Sequence, residues 1–468
     1  MSDGLASVLV DHPYADDEPL LHSVDESLTA GECRSEARRI AVALRDTGVQ
    51  PRQGVAVQLP NDPRAIVTMF GVWLADAVFV PVNPRYPTAE VDHVVAATRP
   101  AAVVTREGIS PRADAMTYGD DDAVVLWTSG TTGRPKPVVQ THAGYLEMID
   151  RVLAPLRGTS TGPRTEKPSP NLVPVGLALN AGIYNVVFGL RAGAEIVVMD
   201  AFSTTVFAEL VHRFAIRSTV LPPAAMTMLN DDESVTDLRP LRFVRSITAP
   251  LSPLQAVRFS ERFGVTVLNG YGQAEMGEVI GWTARDARDH PDKLGAAGRP
   301  LPGVDVKIVD DEGAPVDGVG RVLVRPPGAT AAARQRERVD AEGFVDTGDQ
   351  GRIDADGFVW IEGRSGDLIN RGGNKVFPGQ VEEVLRLAPA VLDAAVVGVS
   401  DARLGQVPVA FVVPNADVTD DDLVRVCREH LAPYKVPVAF HRVDELPRNE
   451  IGKVLRAELV RLAERPHD

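Results

Sequence analysis

Cysteine is scarce in this chain: Cys33 and Cys427 are the only two among 468 residues, far apart and in no metal-ligand spacing. A disulfide framework is therefore not expected, and a reducing cytoplasm fits. Aromatic residues are only 5%, so the core has to be built from Val, Leu, Ile and Ala. Positive charge is in deficit, with a net charge of −15. That argues against nonspecific grip on nucleic acid or an anionic membrane, and an anionic substrate would need a locally basic pocket. No apolar run reaches the roughly 20 residues of a membrane helix. The most hydrophobic stretch, 65–82, carries Asp76 and reads as a buried helix turning into a strand near Pro81. The start, Met-Ser-Asp-Gly-Leu-Ala-Ser, has neither a basic segment nor a long apolar run, so no signal peptide is expected. What remains is an ordinary globular composition, 44% hydrophobic and 24% charged, long enough for two or three domains.

The first 105 residues alternate helical and strand patterns. Residues 28–46 carry apolar positions at helix spacing, with Ala37, Ile40, Ala41 and Leu44 on one side. Short apolar strands are expected at 54–59, 79–82, 101–105 and 124–127, then at 195–199, 218–221, 246–248 and 266–268. Pro60 to Pro63 reads as a turn and helix start. Strands alternating with helices imply parallel sheets covered by helices, an α/β body. Residues 158–171 read as a polar loop. From about Gly303 the rhythm becomes strand and turn, with strands expected at 304–309 and 320–325 in a β-rich subdomain. After 363–367 the composition changes again. A small α+β unit is expected there, with a helix at 381–387 and strands at 394–399 and 409–413.

Residues 126–136 read Leu-Trp-Thr-Ser-Gly-Thr-Thr-Gly-Arg-Pro-Lys. Thr128, Ser129, Thr131 and Thr132 supply hydroxyls, Gly130 and Gly133 allow a tight turn, and Lys136 adds a cation. Glycines let several N–H groups point inward at a polyanion, so this is a candidate phosphate-gripping loop; a flexible surface turn is the alternative. It is not a Walker loop, whose Gly-x-x-x-x-Gly-Lys-Ser/Thr order is absent. Next, residues 267–275 empty a strand into Asn-Gly-Tyr-Gly-Gln-Ala-Glu. Tyr271 can stack on a base or close an acyl pocket, and Glu275 can offer oxygens to a hard cation, unless this is an ordinary strand-end turn. Asp349, in Asp-Thr-Gly-Asp, is a candidate for two vicinal ribose hydroxyls, and Arg364 offers a planar donor fork. Near the end, Gly452 precedes Lys453 and would let a lysine tip enter a narrow site.

Taken in order, these segments resemble the adenylate-forming superfamily of acyl-CoA synthetases, aryl-acid ligases, luciferases and nonribosomal adenylation domains, over essentially the whole chain. Residues 128–136 look like its phosphate loop, 271–275 like its Tyr-Gly-x-Thr-Glu element and 347–349 like its ribose-binding aspartate motif. Residues 363–378 with Glu382 resemble its hinge and following loop, and 447–453 its catalytic-lysine motif. The resemblance implies a large N-terminal adenylation domain, 1–365, with two parallel-type sheets and a small β subdomain. A small mobile α+β domain, 366–468, would follow. It also implies a two-step reaction: a carboxylic acid and ATP give an acyl-adenylate and pyrophosphate, and a thiol then displaces AMP. Lys453 would bridge carboxylate and α-phosphate, and Glu275 and Thr131 would hold Mg²⁺. Residues 128–133 and Lys136 would grip phosphates, and Ala249, Tyr271 and Gly272 would border the nucleotide. Asp349 and Arg364 would fix the ribose.

Coenzyme A is the expected thiol, entering past Gly372 and Gly373, with Lys435, Arg371 and Lys375 available to its phosphates. An acyl or peptidyl carrier protein is the alternative, and a non-catalytic acyl- or nucleotide-binding relative a further one. The segment 173–184 lacks the carboxylate that would receive an ammonium, which points to a fatty or aromatic acid, with open space at Gly176. The chain departs from the family's pattern at four places. Pro137 follows Lys136, Ala274 replaces a threonine, Gly366 replaces a charged hinge residue, and Ile247-Thr248 stand where a glycine pair is usual. Pro137 removes a donor from the loop, and Ala274 removes a hydroxyl.

Overall fold

A computed structural model describes residues 4–129, 135–157, 167–274, 276–327, 338–448 and 454–464. The helix Ala30–Asp46 begins where the Thr29 side chain accepts from the Glu32 N–H at 3.2 Å and Glu32 answers through the Thr29 N–H at 2.8 Å. That cap sets the start two residues later than the sequence pattern alone suggests. Ala30, Cys33, Ala37, Ala41 and Leu44 form its buried stripe, as helical periodicity requires. It packs on Pro63–Leu74, which is buried over most of its length and capped by Asp62. This helix leads into the strand Val78–Pro81, so residues 65–82 are a core helix and strand. Among the described residues, no helix is long and apolar enough to cross a membrane.

Four sheets organise the described residues. One has six strands in the order Gly108–Pro111, Ala102–Thr105, Gly54–Val57, Val78–Pro81, Asp122–Ser129, Pro135–Thr141. A second has nine: Arg299–Pro300, Gly277–Gly281, Thr266–Gln273, Phe243–Ser246, Ser218–Leu221, Asn171–Val173, Ile196–Val198, Pro19–His22, Ser27–Thr29. In both, the inner strands are parallel and the marginal ones antiparallel. The parallel centres read as continuous apolar runs because helices cover both faces, and one hydrophobic cluster runs from Leu5 to Val198 through both sheets. A four-stranded antiparallel sheet follows, Asp305–Val309, Gly320–Arg325, Val345–Ile353 and Val359–Arg364. The last sheet is built from Ile369–Arg371, Asn374–Val376, Val391–Asp401, Gly405–Pro414 and Ala439–Arg442. It has separate apolar clusters of its own. The molecule is thus α/β, with a large N-terminal part of mixed sheets and a small C-terminal domain.

Besides shifts of a few residues at several strand ends, three places differ from the sequence expectation. The strand expected at 246–248 is Phe243–Ser246, and residues 247–250 leave the sheet. Thr248 cannot continue a strand because its φ is +73°. The helix expected at 381–387 runs Pro378–Leu385, started by a proline at its first turn. Of the loop expected at 158–171, residues 158–166 lie outside the described residues, and Asn171 already opens a strand.

A β-branched residue in the left-handed region is strained, at about 1–3 kcal/mol. Replacing Thr248 with glycine removes that strain but frees the unfolded chain, which costs about 0.5–1 kcal/mol. Thr248→Gly is therefore expected to stabilise the protein by about 1 kcal/mol. Denaturant titration checks this; an unchanged or lower midpoint would show the backbone at 248 to be unstrained.

Candidate active site

The candidate phosphate-loop residues join Asp122–Ser129 to Pro135–Thr141, an antiparallel pair at the edge of the six-stranded sheet. Gly130, Thr131, Thr132 and Gly133 lie outside the described residues. Thr128, Ser129 and Lys136 are placed by their backbone, with Thr128 opposite Lys136 in the register. Pro137 is not in the loop but on the strand, opposite Trp127. Pro135 and Pro137 lie two residues apart on an edge strand, where a missing N–H is tolerated.

Thr266–Gln273 belongs to the nine-stranded sheet and Val345–Ile353 to the antiparallel one, and the two meet at a single carboxylate. Asp349 Oδ2 accepts from Tyr271 Oη and, at 3.3 Å, from Gln273 Nε2. Gln273 Nε2 also reaches the Thr347 carbonyl at 2.7 Å. Asp349 Oδ1 faces Arg364 Nε at 2.8 Å. That ion pair follows from register, because Asp349 and Arg364 are cross-strand partners. Thr347 Oγ1 donates to the Val322 carbonyl at 2.8 Å and accepts from the Asp349 N–H at 3.1 Å. The Asp349 side chain is 4% exposed while that of Arg364 is 45% exposed, so the guanidinium is the part that meets solvent. Burial pushes the Asp349 carboxyl above its ordinary range, with the Arg364 charge opposing. Burial, reinforced by Asp349, pushes the Tyr271 phenol far up, so it stays a donor.

Glu275 lies outside the described residues, but its two chain neighbours are held by side chains from other elements. Gln140 Nε2 donates to the Ala274 carbonyl at 2.8 Å. Arg151, from the helix His142–Arg157, donates to the carbonyls of Met276 and Glu278 at 3.2 and 3.3 Å. Its charge is met by Glu147 one helical turn earlier. Gln273, Gln140 and Arg151 were missed by sequence reasoning. Gln273 stands inside the 271–275 element without a role assigned to it, and the Glu147–Arg151 spacing reads as a surface pair. Ala249 follows Thr248 in the half-buried segment after Phe243–Ser246, and Gly272 is exposed beside Tyr271.

Gly372 and Gly373 form the two-residue turn between Ile369–Arg371 and Asn374–Val376, with φ of +59° and +91°. Two successive positive φ values are what such a hairpin turn demands, which is why both are glycine. Arg371 donates to the carbonyls of Tyr434 and Val436 at 2.8 and 3.2 Å. Lys435 Nζ donates to Gln380 Oε1 at 2.6 Å, and Gln380 Nε2 donates to Glu362 Oε2 at 2.6 Å. Arg352 closes the chain on Glu362 Oε1 at 3.2 Å. Lys375 is exposed. Lys453 lies outside the described residues, yet its flanks are fixed: Leu455 N–H donates to the Pro447 carbonyl at 2.8 Å, and Arg448 bridges Val454. Arg456 then anchors the following helix on Glu382 Oε1 and the Val396 carbonyl, both at 2.6 Å.

The structure thus brings Tyr271, Gly272, Asp349 and Arg364 together. It gives Gly372, Gly373 and Lys435 a separate position in the small domain. Among the described residues, no group of three or more His, Cys, Asp or Glu side chains is arranged to hold a metal.

The family model described as AMP-binding enzyme matches residues 11–118 and 109–332, and that of the AMP-binding enzyme C-terminal domain matches 380–453. A 4-coumarate–CoA ligase-like protein of Oryza sativa subsp. japonica is 30% identical, over 95% of this chain and 90% of its own. A 2-succinylbenzoate–CoA ligase of Bacillus mycoides is 29% identical over 96% of each. Among solved structures, ATP-bound MatB from Rhodopseudomonas palustris superposes with a TM-score of 0.86 at 24% identity, over 99% of both chains. The amide bond synthetase McbA from Marinactinospora thermotolerans gives 0.83 at 26% identity, over 98% of this chain and 99% of the other.

Proposed function

We propose that this chain, which belongs to the family of AMP-binding enzymes, activates a carboxylic acid with ATP and transfers the acyl group to coenzyme A. In the first half-reaction a carboxylate oxygen bonds to the α-phosphorus and the bond to pyrophosphate breaks. In the second, the thiol sulfur bonds to the acyl carbon, the acyl–oxygen bond breaks, and AMP leaves. Both steps depend on positioning and on neutralising charge.

The observation that carries this reading is the meeting of Tyr271 and Asp349, 78 residues apart, at one buried carboxylate beside Arg364. Each Asp349 oxygen keeps acceptor capacity for a ribose hydroxyl beyond the bonds it already makes. The half-exposed Arg364 is available to the same sugar. The hydroxyls of 128–132 and Lys136 grip the β- and γ-phosphates in this reading, beside the paired edge strands Asp122–Ser129 and Pro135–Thr141. Lys453 lies between carboxylate and α-phosphate during the first step. Mg²⁺ neutralises phosphate charge when bound, and Glu275 and Thr131 are its proposed protein contacts.

The same reading assigns 1–365 to nucleotide and acid binding and 366–468 to a mobile unit that withdraws Lys453 before the thiol enters past Gly372 and Gly373. The change of sheet after Arg364 supports that boundary. A carrier protein's pantetheine thiol presents the same nucleophile as coenzyme A. A cytoplasmic site follows from the need for ATP and a free thiol.

Pyrophosphate release across a panel of carboxylic acids tests the reading, run with and without coenzyme A and with products identified by mass. Acid-dependent pyrophosphate in both arms and a thioester only with coenzyme A are expected. ATP binding with no acid-dependent pyrophosphate would sink it.

A further inference from the structure

One half-buried ion pair has no part in the nucleotide cluster. Arg245, on Phe243–Ser246, faces Glu278, on Gly277–Gly281, across the strand Thr266–Gln273 that runs between them. Arg245 Nη1 donates to Glu278 Oε1, and Nη2 donates to the Trp282 carbonyl at 3.2 Å. The backbone makes room for the pair at two glycines. A Cβ on Gly281 would come within 2.4 Å of Glu278 Oε1, and one on Gly270 within 3.0 Å. Gly270 immediately precedes Tyr271, so the pair stands next to the nucleotide cluster.

The pair is not sealed off: the two side chains are 23% and 13% exposed. Tyr184 lies within electrostatic reach of both, on the helix Asn180–Arg191. That helix follows Gly176, where an added Cβ would meet nothing within 4 Å.

The charges around the pair cancel. Glu278 neutralises Arg245, and Glu147 neutralises Arg151, the other cation within reach. Among the described residues, Glu278 Oε2 makes no hydrogen bond. Among the described residues the surface therefore offers an open acceptor and no free cation. A hydrogen-bond donor on a ligand completes it, a hydrocarbon leaves it unpaired, and a second carboxylate is repelled by it.

We propose that the Arg245–Glu278 pair lines the acid pocket and selects carboxylic acids whose tail carries a hydroxyl or amino donor. Plain hydrocarbon acids and dicarboxylic acids are disfavoured. This rests on the acid-ligase reading above and narrows its substrate class.

The test measures kcat/KM for the acid by pyrophosphate release. It compares benzoate with its hydroxy and amino derivatives, hexanoate with 6-hydroxyhexanoate, and each set with a dicarboxylate of matched length. The parent protein is expected to favour the donor-bearing member of at least one pair by about tenfold or more, since a site built for a donor rejects the analogue lacking it. Glu278→Ala is expected to abolish that preference and to gain activity on the dicarboxylate, because Arg245 is then unpaired. A gain cannot come from misfolding, and where the variant fails to bind ATP the parent's own pairs decide. Equal rates within every pair, or a Glu278→Ala protein with unchanged ratios, would overturn the proposal. Absence of pyrophosphate release with every acid would instead overturn the ligase reading and this proposal with it.

Discussion

Lys453→Ala is expected to lower acid-dependent pyrophosphate release by about 10³-fold while thioester formation from supplied acyl-adenylate stays within about twofold of the parent. The magnitude is that of removing one preorganised charge from a transition state in which charge builds on phosphorus. The asymmetry follows from the proposed withdrawal of the lysine before the second step. The described residues on either side of the substitution are joined independently of the lysine side chain, Leu455 to Pro447 and Arg448 to Val454. Beyond it, Arg456 is fixed on Glu382. Measuring the two half-reactions separately checks the expectation, and equal loss of both would contradict the assigned role.

Asp349→Asn is expected to raise KM for ATP by about 10²-fold with a much smaller change in kcat at saturating ATP. The carboxylate accepts from Tyr271 and Gln273 on one oxygen and faces Arg364 on the other. An amide cannot accept on both sides, so one of these partners, or the ribose, goes unmet. The same residue imposes a pH dependence. Burial holds the Asp349 carboxyl above the ordinary range, near 4 for a free aspartate (about 3.9). As pH falls through the raised pKa the group gains a proton, loses an acceptor, and KM for ATP climbs. The acid limb should therefore begin at a higher pH than for an ordinary aspartate and vanish in Asp349→Asn. A KM profile for ATP that is the same in both proteins would contradict this.

Much of the architecture could be read from local pattern. The parallel strands announce themselves as short apolar runs between helices, and Ser218–Leu221 falls where that alternation places it, while Gly320–Arg325 falls where the strand-and-turn rhythm does. The expectation at 246–248 was displaced because Thr248 adopts a backbone conformation that composition does not encode. For the site, the motif residues Tyr271, Asp349 and Arg364 were identifiable from residue type and order. Their mutual bonding was not, since it depends on two sheets meeting and on the register that opposes Asp349 to Arg364. Arg245 and Glu278 were invisible for the same reason: each alone is a charged residue in a strand, and only the gaps at Gly270 and Gly281 unite them.

The link from Lys435 through Gln380 to Glu362 and Arg352 spans the proposed boundary after residue 365. If the small domain turns between half-reactions, this link must part once in every cycle and re-form before the next. The two working postures then differ by a hydrogen-bonded clasp worth about 1–3 kcal/mol when a charged partner is involved. That is small beside the binding free energy of a nucleotide or a thiol. Occupancy of the site, and not a rigid latch, then decides which posture the enzyme holds.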